Sequence, residues 1–407
     1  MGFYDKIQQK YESLDETACG LDEAEALKLL GRLCSKTKQW DELVRHRRLS
    51  SCLSHWLPEI LSRAGLGDPG LRQAFGRLDQ LAASILENAR LPMLRHKTVL
   101  GIGGAFSAGK SRFLNALTGR ECLPEEQGPA TAIGTYLVRG PEFSILAHTK
   151  GNGLEALRME ELRTISHKFH AAYKIGFADV LHKLVITSPD FLEHLVLLDT
   201  PGYTKPADGK ALEAVDRRIA REHLKNSDYL IWLIDIGSGA ITETDVTFLK
   251  ELEPRNPFLV VFNKADGKST GEIADVVRRS EDLLASKGMR VFGVTAYSSA
   301  DKEEYLGRNL VRDYIAQARR SQPFSPREEL AALERQWSAS FTKQKAEIAA
   351  DLYAIQDAVT GSARVSAILG MIGVYSSLSR DSTTLYYEEK SFHKGMEEFF
   401  RTVGDFL

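Results

Sequence analysis

The segment Gly104-Ala-Phe-Ser-Ala-Gly-Lys-Ser111 constrains the fold more than any other part of the chain. It follows an apolar run at Thr98–Ile102 and precedes a helix-like run at Arg112–Leu117. A glycine-rich loop between a strand and a helix, ending in Lys-Ser, is the arrangement called a P-loop, whose backbone N–H groups cradle phosphate. The alternative is a glycine-rich turn without a ligand, which the strand and helix on either side disfavour.

The residues of this loop have separate predicted roles. Lys110 is expected to bridge the β- and γ-phosphates of a nucleoside triphosphate, and the Ser111 hydroxyl to take a coordination position of Mg²⁺. Glycine lacks a Cβ atom, so the loop backbone can approach phosphate closely. The nucleotide contacts predicted in this segment are Gly104, Ala108, Gly109, Lys110, Ser111 and Arg112.

A second motif, Asn263-Lys-Ala-Asp266, follows the buried-strand pattern Phe258–Phe262 and predicts which base is bound. An ionised aspartate only accepts hydrogen bonds. Asp266 therefore suits the N1–H and the exocyclic amine of guanine, a donor pair that adenine lacks. Asn263 is expected to brace the loop, and the methylene stem of Lys264 to lie over the purine. Alone, the tetrapeptide is most often a solvated turn; after a strand and downstream of the phosphate loop, it indicates guanine.

A third motif lies between these two, where the apolar run Leu195–Leu198 ends in Asp199-Thr-Pro-Gly202. Asp199 is expected to hold Mg²⁺, directly or through water. The backbone N–H of Gly202 has no side chain beside it and is expected to sense the γ-phosphate. The local alternative is a Pro-Gly turn with an N-cap aspartate.

Two weaker signals complete the set. Thr131, in the polar segment Pro129–Ala132, is expected to reach Mg²⁺ and orient the attacking water, although it also fits an ordinary loop threonine. Thr295 and Ala296 follow the strand-like run Arg290–Val294, and a backbone amide there is expected to contact guanine O6. Both predictions depend on the order of the motifs along the chain.

In this order the motifs resemble those of P-loop GTPases, and more specifically of the dynamin-like large GTPases, particularly their bacterial members. The segments that carry the resemblance are Gly104–Ser111, Leu123-Pro124 with Pro129–Thr131, Asp199–Gly202 and Ile241–Asp245. The phosphate loop and Asp199 lie roughly ninety residues apart, too far for a small GTPase built from short connections. The resemblance covers residues 97 to 300.

The resemblance implies hydrolysis of GTP to GDP and phosphate by a homodimer that forms through its GTPase domains. It implies that Ser107 and loop carbonyls hold a monovalent cation, K⁺ or Na⁺, in place of an arginine finger. The implied catalytic residues are Ser107, Lys110 and Thr131, and the implied Mg²⁺ ligands are Ser111, Thr131 and Asp199. Phe106 departs from the glutamine of the dynamins proper and has no hydrogen-bonding group, so a single copy is expected to hydrolyse GTP slowly.

The predicted fold class is α/β, with a mostly parallel, doubly wound sheet in a GTPase domain at residues 96–322. The 407 residues fit two or three domains. Helical segments at 1–95 and 323–407 are expected to pack into one bundle, which the resemblance equates with a neck or stalk. The alternative is a purely structural bundle that transmits no movement.

The C-terminal segment begins with a helix start signal at Ser325-Pro-Arg-Glu328, and apolar residues then repeat at helical spacing from Leu330 to Val359. The apolar run Val365–Tyr375 is too short to span a bilayer. The resemblance implies a tip that dips into a membrane; a buried bundle core or a helix-to-helix turn is the favoured prediction. The chain ends at Gly404–Leu407 in a pattern typical of a continuing helix, so we expect a truncated protein.

The formal net charge of −2 gives no overall attraction to nucleic acid, and no nucleic-acid partner is expected. Scattered cysteines and an N-terminus without an apolar core are typical of a cytoplasmic protein, which the resemblance places peripherally on the inner face of a membrane. Three functions stay open: a mechanical GTPase that acts in membrane remodelling or trafficking, a regulatory or assembly GTPase associated with ribosomes or protein complexes, and a nucleotide-binding scaffold with negligible turnover.

Overall fold

The computed structural model describes residues 23–35, 40–59, 78–123, 133–164, 177–202, 220–225, 227–323, 325–361 and 364–404. The chain divides into two compact units, with residues 1–39 and 92–324 in unit 1 and residues 40–91 and 325–407 in unit 2. The chain passes from one unit to the other at three places, between residues 39 and 40, between 91 and 92, and between 324 and 325. The domain division made from the sequence stays a proposal, and it differs from these units in the placement of residues before 40.

Unit 1 is built on one sheet whose described strands are ten in number. They are β1 (Thr98–Gly104), β2 (Gly134–Arg139), β3 (Ser144–Thr149), β4 (Leu154–Leu157), β5 (Leu181–Ser188), β6 (Leu195–Asp199), β7 (Tyr229–Asp235), β8 (Phe258–Asn263), β9 (Val291–Ser298) and β10 (Glu303–Glu304). Their spatial order is β10-β9-β8-β7-β1-β6-β2-β5-β3-β4. The five strands β9, β8, β7, β1 and β6 run parallel to one another.

The described part of the chain also contains α-helices in both units. They are α1 (Glu23–Ser35), α2 (Trp40–Ser51), α3 (Leu78–Arg90), α4 (Lys110–Thr118), α5 (Met159–Thr164), α6 (Phe177–Val180), α7 (Glu243–Leu252), α8 (Thr270–Ser286), α9 (Leu310–Arg320), α10 (Pro326–Gly361) and α11 (Val365–Val403). The segment 150–190, whose sequence pattern favours helix from Leu157 to Tyr173, contains α5, α6, β4 and the whole of β5.

The central strands are covered on both faces, as a doubly wound sheet requires. Along β8, Leu259 and Val261 belong to one hydrophobic core, while Val260 and Phe262 belong to the other. Successive side chains of a strand point to opposite faces, so the continuous apolar run follows from burial on both sides. The predicted fold class is confirmed, with one refinement: β2 is antiparallel to β6, and β3 is antiparallel to β4 and β5, so the sheet is mixed beyond its parallel centre.

Helix α1 belongs to unit 1, although the sequence grouped it with the helical bundle. Its apolar residues Ala26, Leu30 and Leu33 are buried in the core that also contains residues of the sheet. Arg32 fixes the helix by ion pairs of 2.9 Å to Glu155 and 3.0 Å to Glu161. The helical spacing of the apolar residues predicted a buried face, but spacing does not identify the partner of that face.

Unit 2 contains α2, α3, α10 and α11, so N- and C-terminal helices share one bundle, as predicted. Glu328 N donates to Ser325 Oγ over 3.3 Å at the start of α10, which confirms the helix start signal. The rings of Phe341 and Phe392 lie 5.6 Å apart between α10 and α11. A ring contact of 6.1 Å between Trp56 and Phe399 joins α11 to the N-terminal part of the unit.

The prediction that Val365–Tyr375 forms buried bundle core is wrong. The segment starts α11 directly after a short connection, and Val365 and Leu369 are 72% and 65% exposed. The burial of α10 ends near Phe341, so the distal half of the helix pair has little packing of its own. None of the helices in the described part of the chain has the length and apolar character that crossing a membrane requires.

Candidate functional site

The parallel strands bring the sequence motifs to one edge of the sheet. Gly104, Asp199 and Asn263 stand at the carboxyl ends of β1, β6 and β8. Because β6, β1, β7, β8 and β9 are parallel, these carboxyl ends lie at the same edge, where ligands bind in open α/β sheets. The edge therefore assembles a candidate nucleotide site from segments far apart in sequence.

The glycines of the phosphate loop occupy positions that other residues would not tolerate. Gly104 has φ +142°, and a Cβ atom there would lie 2.1 Å from the carbonyl oxygen of Leu233. Gly109 has φ +83°, begins α4, and would place a Cβ atom 2.5 Å from Asn263 Nδ2. The backbone of the loop therefore packs directly against β7 and the Asn263 side chain. Its N–H groups lie near the start of α4, where the N-terminus of a helix favours anions.

Lys110 lies buried at the centre of this loop. Its Nζ donates to the carbonyl oxygens of Gly104 and Ala105 over 3.2 Å and 3.0 Å. Burial lowers the pKa of Lys110 to about 8, and the nearby Asp199 carboxylate opposes that shift. A desolvated ammonium group held only by neutral carbonyls and one carboxylate favours additional negative charge beside it.

Ser111 and Asp199 form the second polar pair of the loop. Ser111 Oγ donates to Asp199 Oδ2 over 2.7 Å. Asp199 Oδ1 is buried and has no hydrogen-bond partner among the described residues. Burial raises the pKa of Asp199, and Lys110 opposes the increase. A hydroxyl and a carboxylate with an unused oxygen fit Mg²⁺, which binds few protein oxygens and completes its shell with phosphate and water.

Gly202 lies directly against the phosphate loop. A Cβ atom there would lie 2.6 Å from Phe106 Cα and 2.9 Å from Lys110 Nζ, so only glycine fits. Thr200 Oγ1 donates to the carbonyl oxygen of Ile102 over 2.6 Å and fixes the start of this segment to β1. The structure therefore places the Gly202 backbone beside the lysine ammonium group, and its contact with a γ-phosphate stays a prediction.

Three residues of the phosphate-loop segment, Phe106, Ser107 and Arg112, are exposed, whereas Ala108 is buried. Phe106 is 43% exposed, whereas most large apolar side chains in the described part of unit 1 are buried or partly buried. Ser107 is exposed and has φ +46°, in the left-handed region that non-glycine residues seldom adopt. Arg112 is exposed on the first turn of α4. Thr131 lies outside the described residues.

The motif Asn263–Asp266, the base-reading motif, is hydrogen-bonded to the phosphate loop through Asn263. Its Nδ2 donates to the carbonyl oxygen of Ala108 over 3.0 Å, and its Oδ1 accepts from Ser299 Oγ over 2.8 Å. Asp266 is exposed at the turn after β8, and its Oδ1 accepts from Ser298 Oγ over 2.9 Å. Lys264 has φ +62°, and its Nζ lies 2.7 Å from Asp235 Oδ2.

The structure contradicts the placement of Thr295 and Ala296 at the base. Both are fully buried within β9, where Ala296 pairs with Phe262 in the ladder and Thr295 Oγ1 donates to Glu304 over 2.7 Å. Ser298 and Ser299 stand at the carboxyl end of β9 instead. The strand continues four residues beyond the predicted end at Val294, so the loop motif begins later.

Ser298 and Ser299 are site residues that the sequence reasoning missed. The feature that could have identified these serines is strand pairing. β8 and β9 are parallel neighbours, so their carboxyl ends lie at the same edge of the sheet. The polar residues that follow the last buried position of β9 are then the ones beside Asp266. A strand end chosen from apolar residues alone stops too early, because the strand contains the buried polar Thr295.

Comparisons with known proteins find sequence matches over the part of the chain that contains this site. Residues 100–265 match the model described as the dynamin family. Dynamin-like protein 2 of Campylobacter jejuni is 25% identical over 222 residues, which cover 54% of this chain and 34% of that protein. The bacterial dynamin-like protein of Nostoc punctiforme is 32% identical over 108 residues, which cover 24% of this chain and 16% of that protein.

Among solved structures, one comes from an oligomerised bacterial dynamin pair described as providing a mechanism for long-range sensing and tethering of membranes. It aligns with 87% of this chain and 52% of its own, at 15% identity and a TM-score of 0.43. This chain spans about a third or less of the length of the two curated relatives named above. The sequence matches confirm the resemblance to dynamin-like large GTPases.

Proposed function

On the basis of its resemblance to dynamin-like large GTPases, we propose that this chain binds and hydrolyses GTP. We further propose that GTP-dependent pairing of two GTPase domains is coupled to movement of the helical bundle, in membrane-associated remodelling or trafficking. The observation that carries the proposal is the link from Asp266 through Ser298, Ser299 and Asn263 to the Ala108 carbonyl, because it joins a base-reading carboxylate to a phosphate loop.

The phosphate end of the site supplies charge and orientation. The Lys110 ammonium group would neutralise the β- and γ-phosphates, and Gly202 N–H would contact the γ-phosphate. Ser111, Asp199 and Thr131 are the proposed protein ligands of Mg²⁺, which when bound supplies charge neutralisation between the phosphates. Thr131 is also proposed to orient the water that attacks the γ-phosphorus, which yields GDP and phosphate.

Catalysis is proposed to need a second copy. Phe106 cannot hydrogen-bond a water molecule, and no arginine finger is assigned in this chain. Ser107, exposed and held in a left-handed conformation, is the proposed ligand of a K⁺ or Na⁺ ion that would supply the missing positive charge. An arginine finger contributes roughly 10³–10⁵ in rate where it has been measured, so loss of a substitute cation has a large effect.

We expect the GTP turnover per copy to rise with protein concentration and to require K⁺ or Na⁺. Ser107→Ala is expected to lower the stimulated rate at least about tenfold, with GDP affinity retained, because the cation acts on the transition state. Phosphate release measured over a concentration series, in potassium and in choline salts, checks this. Turnover per copy that is independent of concentration and of the cation would favour a regulatory GTPase or a scaffold.

Binding of nucleotide is expected to depend on pH through Lys110. Below about pH 8 the ammonium group is charged in the free protein, so its pKa contributes no pH dependence. Above that pH the free protein loses the proton, while bound phosphate raises the pKa and restores it. GDP affinity should therefore fall as pH rises, by up to about tenfold per pH unit.

Calorimetry with GDP and Mg²⁺ between about pH 7 and about pH 9, in two buffers of different ionisation enthalpy, measures this proton uptake. We expect uptake that approaches one proton at the upper end and none at the lower end. Affinity that stays constant across the range, without proton uptake, would show that Lys110 does not neutralise the phosphates.

Membrane association is proposed as peripheral. The exposed apolar side chains at the start of α11, among them Val365, Leu369 and Ile372, are compatible with it. Sedimentation with liposomes in the presence of GDP or a non-hydrolysable GTP analogue tests the idea. Co-sedimentation with ribosomes but not with liposomes would instead support the regulatory or assembly function.

A further inference from the structure

Asp235 stands at the carboxyl end of β7 and joins two neighbouring segments of the site. It pairs in the ladder with Asn263, the first residue of the base-reading motif. Its Oδ1 accepts from the backbone N–H of Gly237 over 2.8 Å, and its Oδ2 accepts from Lys264 Nζ over 2.7 Å. The two carboxylate oxygens thus have different partners: one fixes the turn after β7 and the other fixes the lysine.

The Lys264 side chain is held at both ends. Its backbone has φ +62° and begins the short 3₁₀ turn Ala265–Gly267, which also contains Asp266. Its Cε lies 3.9 Å from the position that a Cβ atom on Gly109 would occupy, so the methylene stem passes beside the phosphate loop. Beyond that point the ammonium group meets Asp235. The stem therefore crosses the space between the base-reading turn and the phosphate loop.

This ion pair contributes little to folding. The side chains of Lys264 and Asp235 are 49% and 32% exposed, and ion pairs of that exposure are screened by water. Its effect is instead on the conformational freedom of the Lys264 side chain. A lysine side chain has four flexible carbons, and holding its end reduces the number of rotamers in the free protein, so less entropy is lost when a ligand binds. The ion pair thus has a small effect on the free energy of unfolding and a larger effect on the preorganisation of Lys264 for ligand binding.

We propose that Asp235 is a positioning residue for the base of the guanine nucleotide. By holding the Lys264 ammonium group, it keeps the methylene stem in place as an apolar wall against the purine face. The inference rests on the proposed function, since it requires a purine in the site. The role of Asp235 differs from that of Asp266, which binds the edge of the base. A side chain that packs on the face of the ring does not distinguish the substituents at that edge.

Asp235→Asn isolates the ion pair. The amide oxygen can still accept from Gly237 N–H, so the turn after β7 is retained, while the amide nitrogen cannot accept from a lysine. We expect calorimetry with Mg²⁺ to show GDP binding weakened about three- to tenfold, the loss that ordering one flexible side chain implies. IDP, which lacks the exocyclic amine, should lose the same factor, so the ratio of GDP to IDP affinity stays at the wild-type value.

Asp275→Asn is the matched control. Asp275 also lies 2.7 Å from a basic group, on Arg278, and is 37% exposed, but it belongs to α8 and to none of the site motifs. It should leave GDP affinity unchanged. Lys264→Met keeps an apolar stem without the charge, and Asp235→Asn added to Lys264→Met should have no further effect, because the two residues act as one unit.

The outcomes separate this inference from the proposed function. If the wild-type protein binds GDP and Asp235→Asn binds it equally well, the positioning role is wrong and the function stands. An additive loss in the double variant, or a change in the ratio of GDP to IDP affinity, also overturns it. If the wild-type protein binds neither GDP nor IDP, the proposed function itself fails.

Discussion

Replacing Lys110 with alanine is expected to abolish measurable binding of GTP and GDP. The ammonium group is buried, donates to the carbonyl oxygens of Gly104 and Ala105, and has a pKa lowered to about 8. Removing the ammonium group would leave the phosphate charge of the nucleotide unpaired in a buried site. A loss of this kind weakens binding by about 10²–10³-fold or more. Calorimetry with Mg²⁺ and each nucleotide measures the loss.

The same substitution should not unfold the protein. Removing Lys110 relieves the desolvation cost of its own buried charge, and the nearby Asp199, whose pKa burial already raises, can take up a proton once that charge is gone. Thermal unfolding without nucleotide should therefore stay near the wild-type midpoint, while the stabilisation by added GDP disappears. Lys250→Ala, an exposed position on α7, is the control and should leave both properties unchanged. Wild-type GDP affinity in Lys110→Ala would contradict the phosphate-loop assignment.

The second large effect is expected at Asp266, where asparagine should reverse the choice of base. The carboxylate accepts from both N1–H and the exocyclic amine of guanine, whereas an asparagine amide offers one acceptor and one donor. GTP affinity should fall about 10²-fold or more, since a site built to pair a polar group penalises its mismatch strongly. XTP, with a carbonyl in place of the amine, should gain affinity. Competition between GTP and XTP measures the ratio.

Ser298→Ala is the control for that prediction. Ser298 Oγ donates to Asp266 Oδ1 over 2.9 Å, so its loss loosens the carboxylate without changing its chemistry. GTP affinity should fall modestly, and the preference of GTP over XTP should keep its direction. An unchanged ratio of GTP to XTP in Asp266→Asn would show that another group reads the base.

The central part of the fold was predictable because local sequence determines it. Leu195–Leu198 and Phe258–Phe262 are short apolar runs that end in polar motifs, and only a strand covered on both faces buries every residue of such a run. The phosphate loop needed its two glycines, and the structure shows a carbonyl oxygen or an amide group where each Cβ would lie. The apolar runs are local signals, whereas the atoms that exclude a Cβ at the two glycines belong to Leu233 and Asn263, which are distant in sequence. The glycines were recognisable because the phosphate-binding motif itself requires them.

The errors arise where distant partners decide the structure. Thr295 is buried because β9 pairs with β8 and because Glu304 accepts from its hydroxyl, and neither fact is visible in a window around Thr295. Helix α1 and the start of α11 show a related limit. Helical spacing marked an apolar face in α1 and a continuous apolar run marked the start of α11, but the face of α1 packs in unit 1 and Leu369 of α11 stays exposed.

The measurement that tests the central claim most directly is a calorimetric titration of the wild-type protein with GDP, GTP and ATP in the presence of Mg²⁺. A base-reading carboxylate tied to a phosphate loop predicts binding of GDP and GTP, and an affinity for ATP at least about 10²-fold weaker. Equal affinity for ATP and GTP would contradict the role of Asp266. No heat of binding with any nucleotide would contradict the site as a whole.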